Sequence, residues 1–332
     1  MKQQKAPRTR ENWAVLSRLE PESLQLLERL KARDELLAQC DAPAHKRRVF
    51  QEFPIDTDPP FEGVAAVNDI EIPASAGAVK SRLYHPHAAG EAHCLAWFHG
   101  GGHVVGDLET HDALCRVIAN QSGCAVLNVD YRLAPEHPFP AAFEDAVAAI
   151  RWLGAAPSEY RLHTQSVSVG GSSAGGNLAT AAALEILGSG GPDLLCQLLV
   201  YPPVDATLSN ETYSTLGEGF SFTTEKRRWS RDQYVGDYPD LKDPRLSPAF
   251  SDSLSRLPRT LVVTAELDPL RGEAEDYARR LEKAGVDVTL RRYPGVMHGF
   301  FSQSGYLSTG KAAVTELAAT LRKAASSCLE TA

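Results

Sequence analysis

The sequence has 332 residues, of which 43% are hydrophobic and 23% charged, and its formal net charge is −8. This composition excludes disordered, collagen-like and coiled-coil classes, and no apolar run reaches the ~18 residues that a membrane span requires. The first ten residues carry four basic and no acidic side chains, which leaves −12 on the remainder. We therefore expect a soluble protein that binds neither nucleic acid nor membrane, because an acidic body repels phosphate.

Compartment and cysteine usage agree with an intracellular protein. No apolar segment of the kind found in secretory signal peptides follows the basic start, so the cytoplasm is the predicted location. The six cysteines occur singly, with no C-x-x-C pair. They are interpreted as mostly buried thiols without a metal-ligand spacing.

The N-terminal stretch, residues 11–40, is predicted to be helical. Pro21 suits a first helical turn. Leucines recur along one side of this helix, at Leu24, Leu27 and Leu30, with Leu26 and Leu37 on adjoining positions.

From residue 64 onward, short apolar runs alternate with helix-length segments. Residues 64–73 and 79–86 read as a hairpin. Six further strands are predicted in LAWFH, CAVLNVDY, SVSVGG, LLCQLLVYP, TLVVTAE and VDVTLRRYP. Eight strands alternating with helices predict a mostly parallel α/β sheet that is covered on both faces, with ligands at the carboxyl ends of its strands.

Residues 205–242 interrupt this alternation. The segment is too long for a simple connection and mixes aromatic with polar side chains, which favours an ordered inserted helix with an N-cap at Thr223 or Thr224. A surface embellishment is the alternative interpretation.

A G-x-S-x-G motif at residues 171–175 lies between a predicted strand and a predicted helix. A serine there, Ser173, would lie on a tight turn with its hydroxyl lifted clear of the sheet. The motif alone is weak evidence, since an ordinary glycine-rich turn or a phosphate cradle is the alternative. It lacks the GK[ST] ending of a P-loop.

His99-Gly100-Gly101-Gly102 is more specific and also follows a strand. Successive glycines leave backbone N–H groups unobstructed, so these groups can converge on an oxygen that becomes anionic during acyl transfer. A flexible turn is the alternative.

A serine nucleophile needs a base and an acid that orients it. His298 lies just beyond the last predicted strand, and Asp268 follows the strand before it. The chain order Ser173, Asp268, His298 is the one the α/β-hydrolase arrangement requires. Glu266 competes with Asp268 as the acid. Asp268 is preferred because it lies beyond the strand end.

Several motifs occur together, in order: HGGG, then VDYRLAPEHPFPAAFEDA at 129–146, GSSAGG, DPL and HGF. They resemble the hormone-sensitive-lipase-like (bacterial family IV) esterases of the α/β-hydrolase fold, from about residue 60 to the C-terminus. The resemblance implies an eight-stranded, mostly parallel sheet with helices on both faces and a helical cap. It implies N-terminal cap helices at 1–50 and a catalytic domain at 51–332, with the inserted cap segment at 205–242.

The resemblance also implies a role for each motif residue. The catalytic triad would be Ser173 as nucleophile, Asp268 as acid and His298 as base. The oxyanion hole would be formed by the backbone N–H groups of Gly101, Gly102 and Ala174. Supporting residues that hold the glycine loop would be His99, Asp130 and Tyr131.

The implied activity is hydrolysis of small-molecule carboxylic esters, through an acyl-enzyme and with no cofactor or metal. The mixture of aromatic and charged side chains in residues 205–242 suggests a closed pocket, which favours short- to medium-chain acyl groups. A related hydrolase of lactones, amides or longer-chain lipids is one alternative, and a non-catalytic small-molecule-binding protein of the same fold is another. Relatives often dimerise through an edge strand, so a homodimer stays open.

Two positions depart from the family pattern. His103 follows HGGG, where phenylalanine or tryptophan is usual, and Ser172 precedes the nucleophile, where aspartate or threonine is usual. His103 could alter the pocket wall or the water near the oxyanion. Neither change removes a catalytic group.

Overall fold

A computed structural model describes residues 16–52, 57–86 and 90–329. One sheet with the strand order β1-β2-β4-β3-β5-β6-β7-β8 forms its centre. The strands are β1 Ala66–Ala74, β2 Gly77–His85, β3 Cys94–Phe98, β4 Ala125–Val129, β5 Ser166–Ser172, β6 Asp193–Val200, β7 Arg259–Leu267 and β8 Val288–Met297.

The sheet is mostly parallel, as the sequence predicts. The hairpin β1–β2 is antiparallel, β2 pairs antiparallel with β4, and the remaining pairs are parallel. Strands β3, β4 and β5 are buried along their whole length, which is why they appear in the sequence as continuous apolar runs. The parallel strands therefore carry their C-terminal loops to one edge of the sheet.

Helices cover both faces of this sheet. They are α1 Pro21–Leu37, α2 Pro43–Glu52, α3 Asp112–Ser122, α4 Ala141–Leu153, α5 Ala174–Ser189, α6 Thr212–Thr215, α7 Thr224–Val235, α8 Arg271–Lys283 and α9 Ser308–Leu329. Buried side chains of α4, α5 and α8 belong to one apolar core, and those of α1, α3 and α9 belong to a second. The eight-stranded sheet with helices on both faces, expected from the resemblance, is confirmed.

The N-terminal helix is real, but its buried face differs from the predicted one. Helix α1 buries Leu26 and Leu30, whereas Leu24 is 43% exposed. Three-residue steps drift around a helix of 3.6 residues per turn, so Leu24, Leu27 and Leu30 cannot all face the core. Residues 11–15 of the predicted helix lie outside the described residues.

The helices of the inserted segment contact the N-terminal helices. Thr223 is the N-cap of α7, and its hydroxyl accepts a hydrogen bond from the Lys226 backbone N–H at 3.2 Å. The Lys226 ammonium binds the Asp34 carboxylate of α1 at 2.8 Å. The Lys46 ammonium of α2 lies 4.7 Å from the centre of the Trp229 ring on α7. Two segments that are distant in sequence therefore form one layer.

The cysteines of the described residues are unpaired, as the sequence indicates. Four of them are buried, at Cys94, Cys115, Cys124 and Cys196, and Cys40 is partly exposed. The side chain of Cys328 lies outside the described residues. Within residues 16–52, 57–86 and 90–329, no helix combines the length and the apolar character that a membrane crossing requires.

Three histidines are buried in the segment that follows β3. Burial lowers the pKa of His99 to about 4 and the pKa values of His103 and His111 to about 3. The imidazolium form loses hydration in such a site, so all three rings stay neutral at neutral pH.

These histidines predict acid lability. The unfolded chain binds protons near pH 6.5 while the folded protein does not, so the free energy of unfolding falls as the pH drops from about 6.5 toward 4. Each ring contributes up to about 1.4 kcal/mol per pH unit. His103→Phe removes one such ring, so its free energy of unfolding, measured by urea titration at pH 7 and pH 5, changes less than that of the wild type.

Replacement of the exposed His137 by asparagine is the matched control, because that ring is already in solvent. A His103→Phe variant that loses as much stability between the two pH values as His137→Asn would contradict this account.

Candidate active site

Ser173 lies on the tight turn between β5 and α5. Its backbone adopts φ +53° and ψ −121°, a conformation that is uncommon for a residue with a side chain. The Ser173 N–H donates to the Val200 carbonyl at 2.8 Å. A Cβ on Gly175 would lie 1.9 Å from the Phe98 carbonyl oxygen, so only glycine permits this approach of α5 to β3. The G-x-S-x-G motif is therefore a packing requirement of the turn.

The structure brings Ser173, His298 and Asp268 together in one hydrogen-bonded line. His298 Nε2 lies 3.0 Å from Ser173 Oγ, and His298 Nδ1 lies 2.7 Å from Asp268 Oδ2. Asp268 is fully buried, and its second oxygen accepts the Leu270 backbone N–H at 2.9 Å. The buried carboxylate fixes the orientation of the imidazole.

Glu266, the competing acid, lies elsewhere. One of its oxygens pairs with the Arg18 guanidinium at 2.5 Å, and the other accepts the Gly295 backbone N–H at 2.9 Å. The hydrogen bond from Arg18 lowers the pKa of Glu266. This carboxylate therefore holds the end of β8, just before His298, rather than the imidazole itself.

The glycine loop lies against the serine turn. A Cβ on Gly100 would be 3.2 Å from the Ser172 carbonyl oxygen and 3.6 Å from Ser173 Cβ. Gly101 and Gly102 have φ values of +117° and +64°, which favour glycine. Within the described part of the chain, none of the backbone N–H groups of Gly101, Gly102 and Ala174 donates to a backbone carbonyl. All three can therefore donate to an oxygen between the two loops.

Two of the predicted supporting residues hold this loop. His99 Nδ1 donates to the Gly100 carbonyl at 2.7 Å. The Tyr131 ring stacks on the His99 ring at 4.2 Å between centroids, and the Tyr131 hydroxyl donates to the His99 carbonyl at 2.8 Å. These contacts fix the start of the loop.

Asp130, the third predicted support, does not contact the loop through its carboxylate. Its backbone N–H donates to the Lys80 carbonyl at 2.9 Å, and its side chain forms no hydrogen bond with the described residues. It lines a surface cavity together with Arg47 and Asp107. Burial and the Asp107 charge raise the pKa of Asp130 to about 6.

The two departures from the family pattern both lie beside the site. His103, with φ +64°, stacks on the Tyr234 ring of α7 at 3.7 Å between centroids, so it joins the glycine loop to the inserted segment. The Ser172 hydroxyl is buried and lies 3.4 Å from His111 Nε2.

The inserted segment covers the site, and sequence reasoning missed these contacts. The Phe222 ring stacks on the His298 ring at 4.2 Å between centroids, and outside the inserted segment the Tyr201 ring, directly after β6, lies 4.5 Å from the His298 ring. A Cβ on Gly102 would lie 2.7 Å from Ser230 Cβ, so α7 rests directly on the glycine loop. Only the concentration of aromatic residues in the segment hinted at this role.

The arrangement has the parts of an acyl-transfer site. A hydroxyl next to an imidazole, whose other nitrogen faces a buried carboxylate, can be activated as a nucleophile. Free N–H groups beside it can stabilise an oxyanion. In the residues that the structure describes, no group of three or more His, Cys, Asp or Glu side chains is arranged to hold a metal.

Comparison with known proteins gives the same family. The alpha/beta hydrolase fold family model matches residues 95–302. The carboxylic ester hydrolase LipN of Mycobacterium tuberculosis is 42% identical over 262 residues, which cover 77% of this chain and 70% of LipN. The ethyl acetate hydrolase of Pseudomonas putida is 35% identical over 287 residues, covering 83% of this chain and 89% of that enzyme.

Solved structures agree with the sequence relatives. An ester hydrolase from the metagenome of Lake Arreo, complexed with a bipyridine phosphonate derivative, superposes with a TM-score of 0.86 and 36% identity. An esterase of Pyrobaculum calidifontis superposes with a TM-score of 0.84, also at 36% identity. Both alignments cover 92% of this chain and 98% of the other. The chain therefore belongs to the hormone-sensitive-lipase-like (family IV) carboxylesterases of the alpha/beta hydrolase fold.

Proposed function

We propose that the chain hydrolyses small carboxylic esters by a serine mechanism, with Ser173 as nucleophile, His298 as base and Asp268 as the acid that orients it. The observation that carries the proposal is the line of hydrogen bonds at 3.0 and 2.7 Å through His298. The strained serine turn and the unobstructed glycine N–H groups support it.

In the first half-reaction, Ser173 Oγ attacks the ester carbonyl carbon while His298 Nε2 takes the hydroxyl proton. The carbonyl oxygen becomes anionic and accepts hydrogen bonds from the N–H groups of Gly101, Gly102 and Ala174. The carbon–oxygen bond to the alcohol then breaks, and His298 gives its proton to the departing oxygen. The products are a free alcohol and an acyl group on Ser173.

In the second half-reaction, water replaces the alcohol. His298 Nε2 takes a proton from water as the water oxygen attacks the acyl carbon, and the same N–H groups hold the oxyanion. The bond to Ser173 Oγ breaks and its proton returns from His298. Asp268 stabilises the imidazolium in both halves.

The proposed substrates carry short- to medium-chain acyl groups. Phe222 covers one face of His298, and the aromatic side chains Tyr213, Phe220 and Tyr234 of the inserted segment are buried. A cap packed this closely over the triad leaves little room for a long acyl chain. The substrate is a small molecule, and we place the enzyme in the cytoplasm.

We further propose that this cover is a discontinuous cap formed by residues 1–50 and 205–242, on a catalytic domain spanning 51–332. The ion pair between Lys226 and Asp34 and the contact of Lys46 with Trp229 support a cap built from both parts.

The nucleophile is tested by replacement of its hydroxyl. Ser173→Ala is expected to lower kcat for p-nitrophenyl butyrate by at least ~10³-fold, because no oxygen remains to form the acyl-enzyme. The wild type should show a burst of p-nitrophenol equal to the enzyme concentration if deacylation is slow. Equal turnover by wild type and Ser173→Ala would overturn the proposed mechanism.

The two acids are distinguished by matched substitutions. Asp268→Asn is expected to lower kcat on p-nitrophenyl butyrate by ~10³- to 10⁴-fold, because an amide disturbs the tautomer of His298. Glu266→Gln keeps one acceptor for the Gly295 N–H and should cost far less. If only the Glu266 change is severe, Asp268 is the wrong acid.

Acyl-chain preference is tested with p-nitrophenyl esters of two to sixteen carbons. We expect kcat/KM to peak at short or medium chains and to fall beyond about ten carbons, because the cap limits the space. Phe222→Ala opens the cover on His298 and should shift the peak toward longer chains. A steady rise through the longest ester would contradict the proposed substrate class.

A further inference from the structure

An arginine is buried under the inserted segment, next to the candidate active site. Arg227 on α7 is only 7% exposed, although a charged side chain is rarely so buried without a carboxylate partner. Its Nε has no hydrogen-bond partner. Within the described ranges, no ion pair of 4.0 Å or less joins its guanidinium to a carboxylate.

The groups around Arg227 do not neutralise it fully. The Tyr213 hydroxyl and the Glu273 carboxyl are its neighbours, but Glu273 already accepts the Val204 N–H at 2.8 Å and the Tyr213 hydroxyl at 2.7 Å. Burial raises the pKa of Glu273 to about 7, so this carboxyl carries only part of a negative charge at neutral pH. A positive charge is therefore left inside the fold.

The helix face that carries Arg227 is the face that covers the site. One turn beyond Arg227 on α7, Ser230 packs on Gly102 of the glycine loop, and about two turns beyond it Tyr234 stacks on His103. Just before the helix, Phe222 stacks on His298. The inserted segment therefore contacts His298 through a residue before Arg227 and the glycine loop through residues after it.

The guanidinium also acts on the loop electrostatically. Burial is the main cause of the lowered pKa of His103, the residue that follows the three glycines, and the Arg227 charge lowers it further.

We propose that Arg227 is a specificity-determining residue that binds a carboxylate carried by the ester substrate. The preferred substrates are then half-esters of dicarboxylic acids, or hydroxy acids that are acylated on the hydroxyl group, because both keep a free carboxylate. Wholly apolar esters are disfavoured. The inference rests on the proposed ester hydrolysis and adds the class of substrate.

The chemistry suits this role. A guanidinium donates two parallel hydrogen bonds to a carboxylate, and such charge-assisted bonds are strong where water is excluded. A buried arginine without a carboxylate partner costs solvation energy in the free protein. A bound carboxylate supplies the missing partner, which favours the anionic substrate over a neutral one of the same shape.

The experiment compares isosteric ester pairs by proton release at constant pH. On the acyl side, monoethyl succinate is compared with ethyl 4-methylpentanoate, whose branched end replaces the carboxylate. On the alcohol side, acetoxyacetate is compared with isobutyl acetate. For at least one pair, the wild type should have the higher kcat/KM on the anion, and the pair concerned identifies which side of the ester faces Arg227.

Arg227→Met should lower the anion-to-neutral ratio of kcat/KM for that pair by ~10- to 100-fold, while Arg227→Lys should restore part of it because the charge returns. Arg228→Met is the matched control, since it removes the same charge from an exposed position on the same helix. It should leave the ratio unchanged.

The outcomes distinguish the proposed role of Arg227 from the proposed ester hydrolysis. If the wild type prefers the neutral ester in both pairs, or if Arg227→Met and Arg228→Met give the same ratio, the inference is overturned and ester hydrolysis stands. If Arg227→Met does not fold, the ratio of kcat/KM between the anionic and the neutral ester, measured on the wild type, still tests the inference. If the wild type hydrolyses none of the four esters faster than Ser173→Ala does, the proposed ester hydrolysis is overturned as well.

Discussion

The close approach of helix α5 to the end of strand β3 is the constraint on which the candidate site depends. Gly175 has no room for a side chain against the Phe98 carbonyl, and on the same turn Ser173 adopts a positive φ of +53°. The same approach brings Gly100 against Ser172 and Ser173, so the hydroxyl and the glycine N–H groups meet without any flexible element between them. Such preorganisation is what electrostatic stabilisation of an oxyanion requires.

Features that depend on short stretches of sequence could be predicted. Fully buried strands such as β3 and β4 are continuous apolar runs, and the alternation of strands with helices predicts that the sheet is mostly parallel. Ser173, Asp268 and His298 each follow a strand, so their meeting at one edge is a matter of topology. The glycine motifs could be recognised from the sequence because glycine is required where the backbone has a positive φ or another segment approaches closely.

Features that depend on contacts across the molecule could not be predicted. The choice between Leu24 and Leu26 depends on which side of α1 meets the core, and the separation of Glu266 from Asp268 depends on Arg18, far away in sequence. The carboxylate of Asp130 and the position of Phe222 over His298 likewise follow from segments whose packing has no sequence signature. The burial of Arg227 could not be predicted, because an arginine among other charged residues of a helix is usually exposed to solvent.

Residues near the start of the chain hold the end of β8, just before His298. Glu20 donates its backbone N–H to the Gly295 carbonyl at 2.9 Å, and Arg18 holds the Glu266 carboxylate that in turn accepts the Gly295 N–H. These contacts join the first described turn of the chain to one synthesised some 275 residues later. During translation, the residues of the serine turn and the glycine loop are synthesised well before His298, which they meet in the folded protein. The nascent chain can therefore form the contacts that hold the strand end before His298 only after Gly295 has been synthesised.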